Sequence, residues 1–143
     1  MRATQTLGDK KIVGLPSLDN DSAVFFYIKN NVIDWKYLNY LKALTTFNDD
    51  IISNWLNISV KTLRVYRKPT ASFKENLKEH IVLILSLYKH GIKVFENREN
   101  FDNWLNIDNI FFDHNAPKNF LDTISGIKFI DDRLTAIEYG DNV

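Results

Sequence analysis

The stretch ENLKEHIVLILSLYKHG, residues 75–91, limits what this chain can fold into. Leu77, Ile81, Ile84, Leu85 and Tyr88 recur at helical spacing, and the positions between 81 and 88 are apolar nearly all round. A helix with no polar face is stable only when other elements surround it, so it is expected to be the central, most buried helix. Ser72 and Glu75 form an S-x-x-E capping box at its start, and Gly91 is placed as a left-handed stop. Its longest apolar run, IVLILSLY, falls short of the roughly 18 residues of a membrane span.

The other segments supply the surroundings. AVFFYIKN, after Ser22, is a short helix or a strand; Asp34 caps a helix with Trp35, Leu38, Leu41 and Leu44 on one face. Near the end, Ile127, Ile130, Leu134 and Ile137 make an amphipathic stripe that Gly140 terminates, and Pro117 suits the first position of a short helix. Strand patterns are almost absent, so the fold class is all-α. With 143 residues the chain makes one domain or two small ones. Residues 1–21 contain Gly8, Gly14 and Pro16 with no sustained period, and are read as a flexible arm.

The pentapeptide NWLNI occurs twice, from Asn54 and from Asn103. Each copy stands after an Asn and an acid, Asn48 and Asp50 or Asn97 and Glu99, which spells a short capped helix whose Trp-Leu faces inward. Downstream of the pentapeptide the two copies are unrelated. The first copy lies in DDIISNWLNISVKTLRVYRK, Asp49 to Lys68, which has the spacing of a DNA-binding helix-turn-helix. Ser53 is small where two helices cross, Asn57 tolerates a left-handed turn, and Ile52, Leu56, Ile58, Leu63 and Tyr66 are apolar where the motif needs core. Ser59 caps a second helix whose Lys61, Arg64, Arg67 and Lys68 carry four positive charges and no acid. Lys61, Thr62 and Val65 are candidates for base edges, and Ser59, Arg64, Arg67 and Lys68 for phosphates. The same pattern also fits a helical hairpin with a solvated basic face.

Zero net charge conceals an asymmetry: residues 1–95 carry 14 Lys and Arg against 8 Asp and Glu, and residues 96–143 carry 4 against 10. The halves are suited to different partners, the first to nucleic acid and the second to a basic protein surface. Catalysis has no support. His80, His90 and His114 are scattered, Asp49-Asp50 and Asp131-Asp132 are adjacent pairs that point in different directions on a helix, and no Gly-rich phosphate loop or metal-ligand spacing occurs. Without cysteine there is no disulfide or thiolate chemistry. No enzyme and no cofactor are expected, and since the N-terminus lacks the apolar centre of a signal peptide, the cytoplasm is the default.

The second copy begins a longer pattern. Val94-Phe95, Trp104-Leu105, the short helix Pro117 to Leu121, Gly126, and Ile137-Glu138-Tyr139-Gly140 stand in an order that resembles the C-terminal toxin-binding domain of the Xre/MbcA/ParS antitoxins. The upstream half looks like the Xre-type helix-turn-helix domain of the same family. Departures are Asp113 and His114 where the family usually has two glycines, Ala116 for a Thr cap, and Thr135-Ala136 for a Gly-Arg.

The resemblance implies an Xre-like helix-turn-helix domain over residues 22–95 and a small helical toxin-binding domain over 96–143. It implies an antitoxin that represses its own operon at operator DNA and neutralises a RES-domain, NAD-consuming toxin by occluding its active site, working as a homodimer within a larger complex. The rival reading is a stand-alone regulator whose C-terminal domain dimerises. The stripe on the last helix leaves Asp131, Arg133 and Glu138 to meet the toxin, together with Tyr139, Gly140 and a tail of Asp141, Asn142 and Val143 reaching beyond the globule.

Overall fold

The computed structural model describes residues 12–143, and among them the chain is all-helical. Helix α1 is Asp21–Asn30, α2 Trp35–Leu44, α3 Asp49–Leu56, α4 Val60–Tyr66, α5 Glu75–Phe95, α6 Arg98–Asn106 and α7 Ile124–Glu138; 3-10 turns at Ile110–Phe112 and Pro117–Phe120 join α6 to α7. Six of these helices start as local chemistry dictates. Asn20, Asp34, Asn48, Ser59, Asn97 and Thr123 each accept a hydrogen bond from a free backbone N–H of the helix's first turn. AVFFYIKN is thus helix, its capping Asn20 settling what its apolar run left open.

Helix α5 is the axis, with Ile81 to Tyr88 buried without interruption and α1, α2, α3, α6 and α7 packed around it. Its ends differ from expectation. Lys74 is the N-cap and makes no side-chain cap, so the Ser72–Glu75 box is not formed; Glu75 instead accepts from Lys78 Nζ at 3.0 Å. The entry is set by Phe73, which is buried with its ring 5.2 Å from that of Tyr66, and this leaves Ser72 two positions before the cap. Nor does Gly91 stop the helix, which runs on to Phe95 before Glu96 turns left-handed at φ 79°. Gly91 serves packing: a Cβ there would sit 2.4 Å from the ring of Phe101 on α6.

One contiguous core spans both halves of the chain, from Leu15 to Leu134. The flexible arm read over residues 1–21 lies partly outside the described residues; within them, Leu15 and Leu18 are buried and Lys89 Nζ donates to the carbonyls of Val13 and Leu15. Likewise the boundary at residues 95 and 96 marks a turn between α5 and α6 and not a break between two cores. Asp102 on α6 crosses it. Its carboxylate is buried and receives Thr45 Oγ1, Thr46 Oγ1, Thr46 N and Tyr88 Oη.

Candidate nucleic-acid and partner surfaces

Helices α3 and α4 are joined by a tight turn. Asn57 takes the left-handed turn at φ 58°, ψ 38°, and Ser53 is buried where α3 meets its neighbours. Leu63 is the side chain of α4 fully in the core. Ser59 and Thr62 satisfy each other: Ser59 Oγ accepts from Thr62 N at 3.0 Å and donates to Thr62 Oγ1 at 2.9 Å. Lys61, Arg64, Val65 and Lys68 project into solvent. Arg67 does not; it is half-buried, with Nε donating to Asn39 Oδ1 at 2.8 Å.

An acid outside the predicted set organises this surface. Asp49, the first residue of α3, lies 3.0 Å from Lys42, 3.4 Å from Arg64 and 3.8 Å from Arg67. Lys42 foremost, with the two arginines, holds its carboxyl below the usual range. The turn is also tied to the C-terminal half: Trp55 Nε1 donates to the Lys118 carbonyl and Asn57 Nδ2 to that of Asp122, each at 2.9 Å.

Helix α7 is placed differently from its reading. Asp131 is buried, because it stands four residues after Ile127 and three before Leu134 and so shares their face. It lies 2.6 Å from His90 Nδ1 on α5, while Glu138 reaches His90 Nε2 and Lys93 Nζ, each at 3.0 Å. The Asp131 hydrogen bond, followed by that of Glu138, raises the His90 pKa; His90 and then Lys93 lower that of Glu138. Arg133, beside Ile130 and Ile137 on the helix surface, has only 12% of its side chain exposed. Of the proposed contacts on α7, Glu138 and Tyr139 reach the outside, Tyr139 at 85% exposure.

The tail folds back. Gly140, at φ 101°, donates to Ile137 O and Asp141 N to Ala136 O, a Schellman end that turns the chain onto its own domain. Arg133 Nη1 then donates to Asp141 Oδ2 at 2.9 Å and Nη2 to the Asn142 carbonyl, while its guanidinium lies 3.6 Å from the centre of the Phe111 ring. Backbone hydrogen bonding within the tail, from Asn142 N, and then Arg133 lower the Asp141 pKa. Trp104 Nε1 and Asn109 Nδ2 both donate to the Val143 oxygen, at 3.3 and 3.2 Å. Asp141 to Val143 are therefore docked, since Arg133 and Trp104 offer donors that only the tail's carbonyls and carboxylate meet.

The loop before Pro117 explains two departures in the sequence. Asp113 and His114 adopt φ of 54° and 64°, the left-handed region that glycines at these positions would take freely. Ala116 begins the second 3-10 turn without a side-chain cap. Gly126 is required by space: a Cβ would fall 1.9 Å from the Phe120 carbonyl oxygen. The sequence offers the exposed loop from Asp108 to Ala116 only as a second place for the toxin contact and singles out none of Ile107, Ile110 and Phe111, which the structure holds in solvent; their one signal was a run of large apolar residues with no helical or alternating period.

No helix among the described residues is long and apolar enough to cross a membrane. Neither the curated proteins nor the solved structures hold a match to the chain. Residues 90–140, from the last turns of α5 to the glycine that closes α7, match the family of the antitoxin Xre/MbcA/ParS C-terminal toxin-binding domain, a likeness that supports an antitoxin role with a toxin as partner.

Proposed function

We propose that this protein is the antitoxin of a two-component system, binding its toxin through the segment after α5 and its own operator through α4. The family match over residues 90–140 carries the reading. The chain itself performs no chemistry; it acts by covering the toxin's active site. That toxin is a RES-domain enzyme consuming NAD, whose cleft must attract phosphates and so suits a partner segment carrying 10 acids against 4 bases. Glu138, Tyr139 and the docked tail form one edge of the covering surface.

On the DNA side, Lys61 and Val65 face base edges while Arg64 and Lys68 meet phosphates. A seven-residue recognition helix reads few base pairs, so two copies of the chain act on two half-sites. Expression of the reading frame beside this gene, alone and with this protein, tests the proposal. Growth arrest and NAD loss in the first case, and recovery in the second, are expected. Arrest that this protein does not relieve, or a neighbour that arrests nothing, sinks it and favours a stand-alone regulator.

A further inference from the structure

Between α6 and the second 3-10 turn the chain shows solvent three large apolar side chains within five residues. Ile107 is 63% exposed, Ile110 71% and Phe111 44%, and Val143 of the docked tail, 63% exposed, stands beside them. With Trp104, Asp108 and Asn109 they line one shallow depression of about 320 Å³. Single exposed apolar residues are ordinary, but four on one depression leave an unfavourable contact with water that a partner removes.

The depression is held open by its own scaffold. Asn109 N donates to the Asn115 carbonyl at 3.2 Å and His114 N to that of Asn109 at 2.9 Å, closing the loop on itself. Asn109 Oδ1 accepts from Phe111 N, and the buried Phe112 anchors the base against Trp104. Asp113 and His114 hold consecutive left-handed conformations that cost energy for residues other than glycine. So fixed, the loop cannot turn its isoleucines inward, and a partner meets a surface already in its bound shape.

Charge identifies the partner. Asp108 lies in the depression and Asp113 at the loop tip, while Arg133, whose guanidinium lies over Phe111, is covered and paired with Asp141. We infer that the toxin docks on the depression between Trp104 and Val143, bringing an apolar side chain flanked by lysines or arginines. The inference rests on the antitoxin reading and places the contact on the loop and the tail's seat, with the tail as part of the surface and not a free inhibitor.

The test is calorimetric titration of the full chain with the purified product of the neighbouring reading frame. Ile107→Asp with Ile110→Asp should weaken binding by about a hundredfold or more, the loss of two central anchors. Asp108→Lys should weaken it and flatten its salt dependence. Val32→Asp, at an equally exposed apolar position after α1, should bind as wild type. Circular dichroism melts of all variants should coincide, because every changed side chain is exposed. Wild-type affinity in the double isoleucine variant overturns the inference. So does an unchanged toxin affinity accompanied by a dimer-to-monomer shift in sedimentation, which would make a second copy of this chain the occupant. If wild type and variants alike fail to bind, the antitoxin reading itself falls.

Discussion

Tyr88 on α5 donates its hydroxyl to Asp102 on α6 at 2.5 Å, joining the two halves of the chain inside their common core. Burial, foremost, and the neighbouring carboxylate push the tyrosine pKa well above its ordinary value, so it stays a donor. Asp102→Ala removes the acceptor that hydroxyl shares with Thr45 Oγ1, Thr46 Oγ1 and Thr46 N, leaving Tyr88 and Thr45 only each other at 2.7 Å, and is expected to cost about 3–5 kcal/mol. Asp102→Asn, which keeps the shape and one acceptor, should cost less. Urea unfolding checks both; a loss below about 1 kcal/mol in the alanine variant would show that the network is dispensable.

His90 gives stability a pH dependence. Its pKa is raised in the folded state by the Asp131 hydrogen bond, then that of Glu138, against the burial of the ring, which lowers it. Below the ordinary histidine value of about 6.5 the contribution is fully present, and it is lost as pH rises through the raised folded value. Unfolding midpoints should therefore fall across that window in wild type and stay flatter in His90→Gln. Equal slopes would rule the clamp out.

Binding to DNA should separate charge from pattern. Arg64→Ala with Lys68→Ala is expected to weaken binding to all sequences and reduce the salt slope by about one to two, whereas Lys61→Ala alters preference among operators. Arg67 is left intact because Asn39 and Asp49 hold it in the fold. Gel-shift titrations across a salt series distinguish the two effects, and an unchanged slope in the double variant would remove α4 from the interface.

Two glycines should refuse alanine. A Cβ on Gly91 meets the Phe101 ring at 2.4 Å and one on Gly126 meets the Phe120 carbonyl oxygen at 1.9 Å. Each substitution should cost about 1–3 kcal/mol, with Gly126→Ala the worse because backbone must move where Gly91→Ala displaces a ring. Thermal melts decide the order.

Local grammar was legible in the residues alone. Asn48, Ser59 and Asn97 cap the helices they were read to cap, Asn57 turns left-handed, and Ile81 to Tyr88 are buried, because each depends on neighbours within a few positions or on a period that burial imposes. Gly91 and Ser72 misled for the complementary reason: a ring from another helix and the seat of Phe73 outweighed the local preference. The candidate surfaces divide the same way. The two short helices and the turn at Asn57 could be read from spacing, but that Asp49 engages Arg64 and Arg67, that Asp131 turns in toward His90, and that Arg133 and Trp104 draw the tail back onto Phe111 and Asn109 were decided by which helices the single core brings together. A side chain's partner across some forty residues of chain is a property of packing, and no period in the sequence encodes it.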